Sequence, residues 1–216
     1  MITQKMKYLV LAAAIGTSPA IAQSAFEGAY GQIGIGYESA SPSFSGGVVP
    51  TAAGPRPYSV SASNANSFAG TVTLGYNFAV TNTFLLGIGA EYSPIAGQKA
   101  NYTLTVPGVG SATDQYNKQN SYNIFLSPGF AIDKDKLAYA KVGYTGTSIK
   151  AASDGSTTNY TGYSLGLGYK QIINGGLYGF LEGNYASYGN QNVSGGLTGT
   201  SNVNATNILV GLGYKF

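Results

Sequence analysis

The 216-residue chain contains no cysteine, no histidine and no tryptophan, and only 9% of it is charged. Without thiols or imidazoles it has neither a disulfide framework nor a Cys/His ligand set for a structural metal. A Ser-His-Asp or Cys-His catalytic centre lacks its general base. Ordinary soluble domains carry roughly 25% charged residues, so this surface is short of the groups that water solvates best. Disorder does not account for the deficit, because hydrophobic residues make up 44% of the chain and the formal net charge is only +3. The charges form no basic stripe, which speaks against a nucleic-acid partner. Nothing in the composition calls for a cofactor or a metal.

Glycine, tyrosine and phenylalanine are plentiful instead, at 32, 18 and 9 residues. The N-terminus has a pattern of its own. Lys5 and Lys7 precede the apolar run Tyr8–Ile15, and Ala20-Ile21-Ala22 follows Gly16-Thr17-Ser18-Pro19. A basic start, a short apolar core and an A-x-A ending predict a secretory signal peptide over 1–22, cleaved after Ala22. The run is far short of the roughly 20 residues of a spanning helix. Met6 offers a second start to the same leader. Cleavage removes Lys5 and Lys7, leaving nine basic against eight acidic groups in a single domain over 23–216. Such a chain is exported to an envelope compartment and uses no disulfides there.

The remainder repeats one motif, a stretch of up to about ten residues in which apolar positions alternate with small or polar ones. Ile33, Ile35 and Tyr37 alternate with Gln32, Gly34 and Gly36. The same alternation recurs over 68–78, 84–92, 122–132, 138–144, 163–170, 181–185 and 207–216. Period-two alternation marks a strand with one apolar and one polar face, so eight strands are expected. Their connections alternate in length. Residues 79–83, 133–136 and 171–176 are short and carry hairpin chemistry, such as Asn174-Gly175-Gly176. The links 40–67, 93–120, 147–160 and 188–206 are long and polar. Long-short alternation is that of an up-and-down barrel with one end in the periplasm and the other outside, and it puts both termini at the short-turn end.

A soluble barrel would share the alternation with its apolar face turned inward. Three features favour the membrane. The non-apolar face is Gly, Ser, Asn and Thr with few charges, whereas a water-facing wall carries many Lys and Glu. Aromatic residues sit near the ends of the apolar rows, among them Tyr37, Phe84, Tyr92, Tyr122, Phe130, Tyr144, Tyr163 and Tyr214, as in the girdles at the two lipid–water boundaries. Strands of about ten residues match a tilted crossing. A closed barrel is the β-structure that lipid tolerates, since an open edge leaves backbone groups unpaired. The expected fold is all-β, an eight-stranded antiparallel up-and-down transmembrane barrel.

The leader, the eight segments and the terminal run Asn207-Ile208-Leu209-Val210-Gly211-Leu212-Gly213-Tyr214-Lys215-Phe216 together resemble the small Gram-negative outer-membrane barrels, the OmpA-like or opacity-type "porin family" domain. The resemblance implies residence in the cell outer membrane, with outer-membrane lipid around the barrel. It also implies that Leu212, Tyr214 and Phe216 are read by the β-barrel assembly machinery, because they match that family's C-terminal signal. A peptidoglycan-binding domain like that of full-length OmpA is not present in the chain. The His-Ser pair that small-barrel lipid hydrolases resemble each other in has no counterpart either, and enzymatic activity is not expected.

The lumen-facing row holds Gln32, Glu38, Glu91, Tyr139, Lys141, Lys170, Glu182, Asn184 and Lys215 beside many glycines. Measured from the short turns, Lys141 and Glu182 fall at similar heights, with Glu91 nearer the loops. A buried charge is paired or solvated. Either Lys141 pairs with Glu182, with Glu91 as a third partner, making a plug or gate across the lumen, or each charge is hydrated separately. Glu91 and Glu182 are also the two carboxylates an acid–base mechanism would need, though lumen filler is the plainer reading. The Gly-x-Gly pairs lie on strands with no following helix and are not phosphate loops. Two roles remain open. One is a structural or surface-interaction protein whose loops 40–67 and 93–120 meet a host or phage ligand. The other is a narrow channel for small solutes or a hydrophobic-solute conduit, for which abundant lumenal glycine would leave space.

Overall fold

The computed structural model describes residues 24–52, 54–192 and 198–216; the signal peptide expected at 1–22 lies outside the described residues. Eight long antiparallel strands build the wall: β1 (Gly28–Phe44), β4 (Ala65–Ala79), β5 (Phe84–Ser93), β7 (Gly110–Asp133), β8 (Lys136–Ala151), β9 (Thr157–Asn174), β10 (Leu177–Tyr188) and β12 (Thr200–Lys215). Each pairs with the next wall strand along the chain, and β1 pairs with β12, from Tyr30↔Lys215 to Phe44↔Ser201. The sheet is therefore a closed ring of eight strands. Both described ends of the chain lie at the short-turn rim.

Local sequence explains the turns. Asn174 pairs directly with Leu177, so Gly175 and Gly176 are the whole connection. Gly175 has φ +57°, the left-handed backbone that a two-residue hairpin requires and that glycine adopts without a Cβ clash. At the Asp133 turn, Lys136 Nζ lies 3.4 Å from the Asp133 carboxylate. The Lys134 amide donates to that carboxylate, and these contacts hold Asp133 below the usual carboxylate range.

The wall is inside-out relative to a soluble barrel. Ile33 and Leu167 are 64% and 71% exposed, while Lys141 and Glu182 are 2% and 1% exposed. The outward rows Tyr122, Ile124, Leu126, Phe130 on β7 and Tyr144, Val142 on β8 form a band bounded by aromatics. From Tyr122 to Phe130 a strand at about 3.4 Å per residue, tilted by about 40°, rises roughly 20 Å, which fits a hydrocarbon crossing.

The strands run beyond that band, and the long links are less loop-like than their composition suggests. β1 continues through Pro42 to Phe44, and β7 reaches 24 residues. Pro42 is tolerated because β4 has already ended opposite Ala40, which leaves Pro42 a ladder neighbour on one side only. Within the first two links, β2 (Gly47–Val49), β3 (Arg56–Ala62) and β6 (Ala100–Val106) pair in the order β2-β3-β6-β7. The fourth link holds β11 (Gln191–Asn192), paired with β12. The outer part of the wall is thus a sheet standing above the membrane. Pro128 lies inside the membrane band on β7. The β7–β8 ladder runs to Leu126↔Val142 and resumes at Gly129↔Tyr139, leaving Ser127 and Pro128 unpaired with β8, as a proline without an N–H requires.

Closure predicts a test of the wall. Refolded protein should run on SDS gels at a different mobility unboiled than boiled, because the closed ladder resists detergent; equal mobilities would contradict the ring.

Candidate functional site

The inward row is layered. At the periplasmic end Phe26, Leu85 and Leu137 are buried together, and above them Tyr30, Tyr178, Phe180 and Leu209 form a second apolar cluster. Their rings sit on strands where the facing positions are glycine. A Cβ on Gly213 would lie 2.3 Å from the Tyr178 ring, on Gly168 2.2 Å from that of Tyr139, on Gly75 2.6 Å from that of Tyr30, and on Gly89 2.5 Å from that of Phe125. The sequence suggested that lumenal glycine leaves open space; at these four positions the space is instead taken by an aromatic ring from a neighbouring strand. The inward rings of Tyr30, Phe125, Tyr178 and Phe180 were not legible as lumen filler beside the outward aromatics.

The charged layer lies above. Lys141 Nζ is 2.7 Å from Glu182 Oε1 and 3.2 Å from Glu91 Oε2, so the structure brings the three residues together. Glu182 also accepts from the Tyr139 hydroxyl at 2.7 Å and from Asn184 Nδ2 at 2.8 Å. Glu91 accepts from Thr73 Oγ1 at 3.1 Å. Lys141 additionally stands 4.5 Å from the centre of the Phe125 ring. The strand between β8 and β10 makes the meeting possible. On β9, Gly166 pairs with both Lys141 and Asn184, and Gly168 with both Tyr139 and Glu182. Having no side chains, these two glycines let residues of β8 reach over β9 to β10.

Lys170 is buried, and among the described residues it has no carboxylate within salt-bridge distance. Its side-chain nitrogen stands 3.8 Å from the Tyr30 ring centre and 5.1 and 5.0 Å from those of Tyr139 and Tyr178, so ring faces stand where a paired lysine would have a carboxylate. Gln32 accepts from the Tyr178 hydroxyl at 3.1 Å. Lys215 lies at the periplasmic mouth, half-buried. Glu38 has the partner that sequence reasoning missed: Lys118 donates to both its carboxylate oxygens, at 2.6 and 2.7 Å, with both side chains buried. Lys118 belongs to the link 93–120. A one-residue bulge between Lys118 and Asn120 turns it inward, and period-two counting from the strand below does not foresee that shift.

Above this pair the extracellular mouth is closed by Ala40, Ala65, Ala100, Tyr116, Tyr160, Tyr188 and Val203. Tyr116 donates to Ser63 O at 2.7 Å. Tyr102, packed beside it, donates to Asp114 at 3.0 Å, and burial with this hydrogen bond to a carboxylate pushes its hydroxyl up to about 12.

Chemically the cluster is saturated. The Lys141 and Glu182 side chains are each 1% exposed and that of Glu91 11%, so the two carboxylates face neighbouring donors rather than a substrate-sized space. Among the described residues, no group of three or more His, Cys, Asp or Glu could hold a metal ion. On the lipid side, a shallow furrow runs past Gly183 between Leu165, Leu167, Leu181 and Ile208; it lies outside the lumen. Leu212, Tyr214 and Phe216 also point outward, and the Tyr214 and Phe216 rings meet edge to face at 5.5 Å.

Two substitutions follow. Lys141→Met leaves two buried carboxylates uncompensated and should destabilise the barrel by about 3–5 kcal/mol in urea titration followed by gel mobility. Adding Glu91→Gln and Glu182→Gln should restore much of the loss, and an unchanged Lys141→Met midpoint would dissolve the cluster's importance. Gly168→Ala forces a methyl into the Tyr139 ring and should cost about 1–3 kcal/mol in the same titration.

Comparison with known proteins agrees with this architecture. The sequence profile of the outer membrane protein beta-barrel domain matches residues 8–216. A search of curated protein sequences gives no match. Among solved structures, the outer membrane protein OprG from Pseudomonas aeruginosa aligns with TM-score 0.53 at 15% identity, over 88% of this chain and 96% of that one. Neisserial surface protein A aligns with TM-score 0.49 at 16% identity, over 88% and 98%. Ail of Yersinia pestis, solved with the heparin analogue sucrose octasulfate, aligns with TM-score 0.47 at 15% identity, over 88% and 99%. At such identity the likeness to OprG bears on the fold alone. With the ring of eight strands and the profile match over nearly its whole length, the chain belongs to the outer membrane protein beta-barrel domain family and resides in the outer membrane.

Proposed function

We propose that this protein is a closed, non-conducting barrel whose role is structural or surface-interactive, exercised through the sheet and loops it raises above the membrane. The observation that carries this reading is the packing of the lumen. Thr73 and Leu209 are 0% exposed, and Tyr178, Glu182 and Leu85 are 1% exposed. Eight strands enclose a space that side chains can fill, and here aromatic rings, an ion-pair layer and the cap around Tyr116 and Tyr160 fill it in succession. A solute crossing the barrel would have to displace all three. The lumenal carboxylates Glu91 and Glu182 are engaged by Lys141 and neighbouring hydroxyl and amide donors, which favours a non-enzymatic role.

Assembly belongs to the same reading. Leu212, Tyr214 and Phe216 present an outward apolar edge on the closing strand, the surface by which an assembly machinery would recognise it before β1 and β12 join. A host or phage surface ligand would meet the raised loops. The hydrophobic-solute conduit is favoured by one feature, the interruption of the β7–β8 ladder at Pro128, which leaves a weak seam facing lipid at the height of Lys141.

Planar-bilayer recording on refolded protein tests the closed barrel. The wild type should be electrically silent, and Tyr178→Ala with Phe180→Ala, which removes two of the filling rings, should raise the frequency of conducting events. A stable unitary conductance in the wild type would overturn the reading.

A further inference from the structure

The outward face of the wall changes character sharply above the aromatic girdle. Tyr144 and Tyr163 pair across β8 and β9, and four residues further up Ser148 Oγ donates to Asn159 Oδ1 at 2.8 Å on the same face. Beyond the β7 bulge the outward positions of β6 and β7 form a ladder of hydroxyls and amides. Thr103 and Thr113 are hydrogen-bonded through their hydroxyls at 2.9 Å, Thr105 and Ser111 likewise at 2.9 Å, and Gln115 donates to Asn101 at 3.0 Å. On β3, Ser61 and Ser59 pair with Thr103 and Thr105 and continue the grid. Above the girdle, among the described residues, Lys150 is the one charged side chain in the outward row of these paired strands.

A face bathed only in water ordinarily carries roughly 25–35% charged residues. This one is nearly neutral and made of groups that each keep a donor or acceptor to spare after their cross-strand bond. Its spacing, about 4.8 Å between strands and about 6.8 Å along them, presents hydroxyls at intervals comparable to those on a sugar ring and its neighbour. Its position selects the occupant. The face is continuous with the wall that faces lipid below the girdle, so whatever caps the surrounding lipids lies directly against it. We infer that this hydroxyl and amide face is a lateral docking surface for the neutral sugars of the glycolipids surrounding the barrel. This deepens the surface-interaction reading and rests on it: the raised sheet then serves to seat the barrel within the glycan layer.

The test uses the full refolded chain in phosphatidylcholine vesicles containing either lipopolysaccharide with its core sugars or lipid A alone, read by hydrogen exchange of residues 100–117 and 148–159. Core sugars should slow exchange in these segments by about tenfold, the change expected for a ligand at about ten times its dissociation constant, with strands inside the membrane band unaffected. The variant Thr103→Val, Thr105→Val, Ser111→Ala, Thr113→Val keeps β-branched residues at three of its positions and should exchange in both vesicles as the wild type does over lipid A. A variant that loses heat-modifiable gel mobility is replaced by the single change Thr103→Val, for which a smaller loss in the same direction is expected. Equal exchange of the wild type in the two vesicles overturns the inference. Protection that follows the protein-to-lipid ratio instead of the sugars also overturns it, and assigns the face to a second copy of the chain. A conducting wild type would strike the closed-lumen reading without altering the exchange result, so the two failures are distinguishable.

Discussion

Backbone closure in lipid is the constraint from which the rest of this barrel follows. Within hydrocarbon no water is available to an unpaired N–H or C=O, and each such group costs several kcal/mol, so the sheet has to meet itself. The β1–β12 ladder does this over fifteen consecutive residue pairs from Tyr30↔Lys215. Closing with eight strands then fixes a narrow interior. The large inward rings of Tyr30, Phe125, Tyr139, Tyr178 and Phe180 fit such an interior only because glycines on adjacent strands give them room. Glycine here is a packing partner for a ring, and a strand poor in side chains is part of a filled core.

The ion-pair layers follow from the same narrowness. Three lumenal carboxylates meet two lysines: Lys118 pairs with Glu38, and Lys141 is shared by Glu91 and Glu182. Desolvation offsets much of what each pair gains by attraction, so such pairs add little net stability. Their partners must all be present, because a lone buried charge is far more costly than the pair. At Lys170 the faces of three tyrosines stand in place of a carboxylate.

Along the outside, the same strands pass through three environments, and their side chains change with each. Aliphatic rows face lipid, tyrosines mark the boundary, and hydroxyl and amide pairs stand above it. The scarcity of charge has a separate cause in each zone: lipid below, a saturated core within, and a neutral polar sheet above. Strand length follows as well. β7 is long because it crosses the membrane and then serves as the spine of the raised sheet.

Much of this was legible in the residues. Alternation with period two identifies which side chains share a face, so the eight wall strands, the outward aromatics and the inward placement of Glu91, Lys141 and Glu182 could be read without coordinates. Turn chemistry and link length ordered the strands and set both ends at one rim. Alternation says nothing of height, because it repeats every two residues along each strand, and relative height depends on how neighbouring strands are staggered around the ring. That is why Lys118, 80 residues from Glu38 in sequence and turned inward by a bulge, was read as part of a loop, and why rings and glycines on adjacent strands were not seen to interlock. The pairing of β3 with β6 was hidden for a similar reason: polar Ser-Thr-Asn segments read as loop until a partner completes their ladder. The sequence by itself determined which face each residue takes, since that needs only the pleat of a single strand; the tertiary structure decided which residues meet, since stagger and closure are properties of the whole ring.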